Sequence, residues 1–89
     1  MLMKITGVTV RKRYDSGPLK AVLSLTFDNC FALHDVKIVE AGGKEMVVMP
    51  YRMTEHGAKD IAHPINKEFR AYIESEIFRS VISNEYHRD

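Results

Sequence analysis

Four cations lie around residues 59–66 of this chain, and together they could contact phosphate groups. Arg52 precedes this segment, Lys59 is its first residue, and Lys67 and Arg70 follow it. Lysine and arginine side chains displace condensed counterions from a polyanion backbone, which supplies most of the non-specific affinity of nucleic-acid binding. The cluster therefore predicts a phosphate-binding surface around residues 59–66.

Lys67 and Arg70 fall in the first turn of a predicted helix, which is an unfavourable place for positive charge. Each cation costs roughly 0.3–1 kcal/mol there, because it faces the positive end of the helix macrodipole. The free N–H groups of that turn, together with two cations, would form an anion site. The alternative is that Glu68 and Glu74 simply compensate the two charges.

The densest basic run, Arg11, Lys12 and Arg13, predicts a secondary phosphate-binding surface. Alternation along a strand would send Arg11 and Arg13 to one face and Lys12 to the other. The alternative is a charged strand end that discourages edge-to-edge pairing. Tyr51 also has two interpretations: it could stack on an unpaired base, or it could form ordinary strand surface.

Catalytic chemistry has weaker support. His34-Asp35 is similar to a metal-binding dyad of phosphohydrolases, with Asp60 and His63 as further ligands, but a catalytic zinc site needs three protein ligands. A structural histidine is the simpler interpretation. No sequence feature places a base beside Ser24, so a nucleophilic triad is not expected.

Size and composition indicate one small domain over residues 1–89. Thirteen cations against twelve carboxylates give a net charge of +1, so overall charge favours no particular partner. The single cysteine, Cys30, excludes an internal disulfide, fits a reducing cytoplasm, and is expected to be a small buried thiol. We expect no membrane span and no secretory signal, because no apolar run is long enough.

The hydrophobic pattern predicts an α+β domain, with an antiparallel sheet over residues 3–65 and one amphipathic helix over residues 67–86. Asn66 is a suitable N-cap, and Phe69, Ile73 and Ile77 recur along one helix face. Five strands are expected, at 3–14, 19–27, 30–40, 45–51 and 59–65.

The strands also carry finer signals. A change of parity around Gly7 predicts a bulge in the first strand. The second strand alternates, with Leu23 and Leu25 on one face and Val22 and Ser24 on the other. The fourth strand is apolar on both faces, which favours a central position in the sheet.

Several of these segments, in order, resemble the SpoVG family of small bacterial regulators, named for stage V sporulation protein G. The opening Met3-Lys4-Ile5-Thr6 and the hairpin Leu19 to Ile38 are similar to that family. Met49-Pro50, Thr54 and Gly57 resemble its loop, and 59–66 matches its most typical segment.

The resemblance implies a homodimer with an antiparallel sheet and a C-terminal helix, which binds DNA and RNA in the cytoplasm and influences gene expression, sporulation or septation. It implies no catalytic activity, no cofactor, no metal and no small-molecule substrate. The loop departs from the family pattern: Tyr51 replaces a serine, Met53 replaces a second basic residue, and Glu55-His56 replaces Pro-Asp.

The sequence thus favours a DNA- and RNA-binding regulator whose main phosphate surface is Arg52, Lys59, Lys67 and Arg70. Two alternatives remain: a protein-interaction module without nucleic acid, and a small metal-dependent hydrolase using His34, Asp35 and His63.

Overall fold

The computed structural model describes the backbone of residues 3–87 and the side chains of residues 3–81. Six strands precede one helix, which confirms the predicted α+β class. The elements are β1 (Ile5–Arg13), β2 (Leu19–Phe27), β3 (Phe31–Ala41), β4 (Lys44–Val48), β5 (Tyr51–Thr54), β6 (Gly57–Asp60) and α1 (Lys67–His87). Strands β1 to β4 form an antiparallel sheet in chain order, and β5 and β6 form a separate two-stranded hairpin.

The inner face of the four-stranded sheet carries the core, as the alternation in β2 predicted. Leu23, Leu25 and Val36 on the sheet and Ile77 on α1 are fully buried, and Ile73 is nearly so. Burying each such side chain contributes about 1.5–3 kcal/mol. The helix therefore covers this face, and the alternate residues of β2 point to the other, outer face.

The expected strand over residues 59–65 is wrong. Strand β6 ends at Asp60, and residues 61–66 form bends without strand pairing. Ile61 is 66% exposed and Ile65 is 89% exposed, so most of each side chain remains in solvent. In the β5–β6 register Asp60 pairs with Tyr51, so Ile61 comes next to Pro50, which accepts the Ile61 N–H but has no N–H of its own to extend the ladder.

Two further expectations are wrong. The fourth strand lies at the edge of the sheet rather than its centre, and its residue Met46 is 43% exposed. Cys30 is exposed, because it follows a tight turn in which Asp28 and Asn29 adopt positive φ values of 53° and 55°. The predicted bulge near Gly7 is confirmed by a register shift between Ile5 and Gly7.

One hydrogen bond caps the helix, and a second joins the helix to the sheet. Asn66 caps α1 as predicted, since its side-chain oxygen accepts the Phe69 N–H at 2.7 Å. Tyr72 reaches from the helix to β1, where its hydroxyl oxygen accepts the Ile5 N–H at 2.8 Å. Ile5 lies next to the bulge, where the pairing of β1 with β2 is irregular, and this hydrogen bond gives the Ile5 N–H an acceptor.

The helix is not apolar enough over its length to cross a membrane, and the described residues contain no other helix.

Replacing Tyr72 with phenylalanine should lower the free energy of unfolding by about 1–3 kcal/mol, because it leaves the Ile5 N–H unsatisfied in a part-buried position. Urea denaturation followed by circular dichroism measures the change. Tyr51→Phe is the matched control, since that ring is exposed and its hydroxyl should matter by less than about 0.5 kcal/mol. Equal stabilities of the two variants would contradict the proposed role of Tyr72.

Candidate nucleic-acid interface

The β5–β6 hairpin brings two of the predicted cations together. Arg52 lies directly opposite Lys59 in the antiparallel register, so both side chains project from the same face of the hairpin. The turn is held by Thr54, whose hydroxyl donates to the Gly57 carbonyl at 2.7 Å. At the base of the hairpin, the Ile61 N–H donates to the Pro50 carbonyl at 2.8 Å.

This pair is unfavourable for the isolated protein. Like charges directly opposite each other destabilise an antiparallel pair by about 0.2–1 kcal/mol. Within the described residues, neither Arg52 nor Lys59 forms an ion pair with a carboxylate. Both side chains are exposed, so they can approach a polyanion without first breaking an internal contact.

The start of the helix is less available to bind an anion than the sequence predicted. Lys67 is exposed, but an Arg70 guanidinium nitrogen lies 3.8 Å from a Glu74 carboxylate oxygen. Asn66 already accepts one of the N–H groups in the first turn. The alternative in which acidic residues compensate the cations therefore applies to Arg70. No ion pair, hydrogen bond or ring contact of the described residues joins this region to the hairpin.

The basic run on β1 is rearranged by a second bulge. The register shifts between Val10 and Lys12, which pair with Leu23 and Val22 respectively. Simple alternation, which would put Arg11 and Lys12 on opposite faces, is wrong here, because both line one shallow depression of the outer face. The other lining residues are Tyr14, Val22 and Asp35. Arg13 lies apart, opposite buried Ala21.

Sequence reasoning missed Lys37 as a candidate. Its ammonium nitrogen lies 5.1 Å from the centroid of the Tyr51 ring, a cation–π contact. The two residues come from β3 and β5, and no local sequence signal connects them. A similar contact within β1 places the Lys12 ammonium 5.2 Å from the Tyr14 ring centroid.

The residues of the hydrolase alternative do not assemble a metal site. A His34 ring nitrogen, Nδ1, lies 2.8 Å from the Ser24 hydroxyl, and His63 Nδ1 lies 3.1 Å from the Pro64 carbonyl oxygen, within hydrogen-bond distance. The part of the chain that the structure describes contains no group of three or more histidine, cysteine or acidic side chains able to hold a metal. The Ser24–His34 contact, which the sequence did not predict, is solvent-exposed.

Comparison with known proteins decides the family. The family model SpoVG matches residues 3–83. The chain belongs to the SpoVG family. Among curated relatives, a protein of Caldicellulosiruptor saccharolyticus is 45% identical over 85 residues, which cover 91% of this chain and 97% of the relative. The relative in Caldanaerobacter subterraneus is 50% identical over 76 residues, 84% of each chain. In Clostridioides difficile the relative is 43% identical over 79 residues, 88% of this chain and 86% of the relative.

All three relatives carry the name "Putative septation protein SpoVG". The resemblance deduced from separated sequence motifs is therefore confirmed. The SpoVG match also includes the whole β5–β6 hairpin, so this hairpin belongs to the shared domain rather than to an added segment.

Reversing one charge of the hairpin pair should stabilise the protein. Lys59→Glu converts a repulsive cross-strand pair into an attractive one, which should raise the free energy of unfolding by about 0.2–1 kcal/mol in low salt. Urea or thermal denaturation measures the gain. The double variant Arg52→Glu with Lys59→Glu restores like charges and should lose it. If both variants have the same stability, Arg52 and Lys59 do not repel each other significantly.

Proposed function

We propose that this SpoVG-family protein is a non-enzymatic bacterial regulator that binds DNA and RNA, and that the β5–β6 hairpin supplies its main phosphate contacts. The observation that carries the proposal is the exposed pair of Arg52 and Lys59. Repulsion between the two cations destabilises the free protein, and a phosphate bound between them would offset that repulsion. Residues that oppose local stability in this way are reasonable candidates for function.

Other cations would supply secondary phosphate contacts away from the hairpin. Lys67 is exposed at the helix start and Arg70 shares its charge with Glu74. Arg11 and Lys12 lie on the outer face of the sheet, and Arg13 completes the basic run. Dispersed contacts of this kind position a polyanion and add affinity, but they carry no sequence information.

The proposed mechanism of regulation is occupancy of a site on DNA or RNA. A domain of 10.2 kDa that occupies a promoter or a transcript alters the access of other proteins to that site. The names of the relatives support a role in septation, which regulation of gene expression in the cytoplasm would produce indirectly. The exposed thiol of Cys30 fits a reducing compartment.

The main rival is a protein-interaction module that does not bind nucleic acid. Exposed apolar side chains support it, among them Met53 at 71% and Ile65 at 89% exposure. Salt separates the two functions. Phosphate binding weakens steeply as salt rises, whereas contact through apolar side chains does not.

Replacing Arg52 and Lys59 with alanine should weaken binding to pooled genomic DNA fragments and total RNA. If each cation neutralises one phosphate, the slope of log affinity against log salt should become shallower by about 1–2 for duplex DNA. Mobility shifts over a series of salt concentrations measure both quantities, with circular dichroism to confirm the fold.

The matched control is the double variant Lys44→Ala with Arg79→Ala. It removes the same charge from the first residue of β4 and from a helix position where Arg79 is already paired with Glu76. We expect binding close to that of the wild type. Equal retention by both double variants would remove the hairpin from the proposal, and no retention by the wild type would refute nucleic-acid binding itself.

We also propose that the protein is a homodimer. An open, mainly apolar cavity of about 370 Å³ lies beside the helix start, lined by Met3, Phe69 and Tyr72 together with the charged residues Lys4 and Glu68. Phe31, also near the start of α1, is 56% exposed. Pairing would cover these side chains in a small domain that otherwise buries a limited core.

Sedimentation equilibrium should therefore give twice the monomer mass of 10.2 kDa at micromolar concentration. Phe31→Glu should shift the equilibrium toward monomer, because it places a charge in the covered region. Lys44→Glu, a charge reversal at the exposed first residue of β4, should leave the mass unchanged. A wild type that sediments as a monomer at all concentrations would refute the dimer.

A further inference from the structure

We propose that the outer face of the four-stranded sheet binds single-stranded nucleic acid, with Tyr14 and Tyr51 stacking on unpaired bases and Lys12 and Lys37 contacting the phosphates between them. The proposal rests on the proposed nucleic-acid binding and specifies a second surface and the form of its ligand. It is distinct from the Arg52–Lys59 pair, which projects from the opposite side of the hairpin to Tyr51.

The outer face is available for a ligand. In β2, Val22 alternates with buried Ala21 and Leu23, so it points away from the core and from α1. The helix packs its buried residues, Ile73 and Ile77, on the inner side. Among the described elements, the helix therefore covers only one of the two faces of the sheet.

The register places the two lysines in one row across this face. Lys12 lies opposite Val22 on the neighbouring strand, and Val22 in turn lies opposite Lys37. Residues directly opposite each other in an antiparallel sheet share a face. Because neighbouring strands lie about 4.8 Å apart, the two lysine backbones are about 10 Å apart, with an apolar floor at Val22 between them.

Each lysine in the row is held against an aromatic ring. Lys12 lies over Tyr14 at 5.2 Å and Lys37 over Tyr51 at 5.1 Å, measured from the ammonium nitrogen to the ring centroid. Each lysine of the row therefore has an aromatic ring beside it, Tyr14 just past the end of β1 and Tyr51 at the start of β5. Proteins that bind single strands combine these two features, because aromatic rings stack on bases while cations follow the backbone.

The arrangement favours unpaired bases over a duplex. A ring can stack on a base only where the base is not already stacked within a helix and paired with its complement. Tyr51 is 39% exposed and lies beyond the end of β4, so a base can reach it. Tyr14 is half-buried and lines the depression in the outer face.

One carboxylate opposes the ligand in this depression. Asp35 adopts a positive φ of 66° and lies beside Arg11 and Lys12. Two cations against one carboxylate leave the depression positive, and Lys37 adds a further positive charge to the row. The charge of the face is thus complementary to a phosphate backbone.

The test is fluorescence anisotropy with four labelled probes of one length: a mixed-sequence RNA strand, the corresponding DNA strand, its duplex, and an abasic strand with the same number of phosphates. The variant Tyr14→Leu with Tyr51→Leu removes both rings but keeps apolar bulk. Tyr14→Phe with Tyr51→Phe is the matched control, because it keeps the rings and removes only the hydroxyl groups. If the leucine double variant fails to fold by circular dichroism, Tyr51→Leu against Tyr51→Phe replaces it.

We expect the leucine variant to bind the RNA and DNA single strands about 25-fold more weakly or worse, since each of the two stacked bases contributes a factor of about five or more. The phenylalanine variant should match the wild type, and the duplex and abasic probes should not distinguish the variants. Unequal losses on RNA and DNA would identify which strand the face prefers. Unchanged binding of single strands, or an equal loss on all four probes, would overturn the proposal. If either of these outcomes occurs but the Arg52→Ala, Lys59→Ala double variant binds the probes more weakly than the wild type, the proposed function still stands. A wild type that binds no probe would refute that function.

Discussion

The packing of one helix against one face of the sheet is the contact on which the rest of the structure depends. Ile77 and Ile73 meet Leu23, Leu25 and Val36 in a single buried cluster. The hydrogen bond from the Ile5 N–H to the Tyr72 hydroxyl ties the same helix to the outermost strand. Because the described residues form a single helix, which packs on the inner face, the opposite face of the sheet has no helix over it. That asymmetry leaves room for binding surfaces on the sheet itself.

Much of the fold could be predicted because its signals are local. The alternation in β2, the N-cap at Asn66 and the helix stripe each depend on neighbouring residues, and all three are confirmed. The segment 59–65 failed because its apolar residues suggested a strand, whereas strand formation also requires a partner. The partner strand, β5, begins at Tyr51, which pairs with Asp60, so the ladder ends there.

The candidate site was harder to predict, because bulges and tertiary contacts decide which side chains share a face. One extra residue in β1 moves Arg11 to the side of Lys12, against the simple two-residue period. Lys37 meets Tyr51 only because the chain returns after β4. Sequence alone could identify the cations but not group them, and it gave equal weight to Arg70, which the structure pairs with Glu74.

The two-stranded hairpin has a consequence for how this protein can diverge. Its strands do not pair with the four-stranded sheet, and the hydrogen bond from the Ile61 N–H to the Pro50 carbonyl closes its base. Side chains of Tyr51, Arg52, Met53 and Lys59 are exposed, so exchanging them leaves the buried cluster untouched. Substitutions in this hairpin can therefore accumulate without loosening the core of the domain.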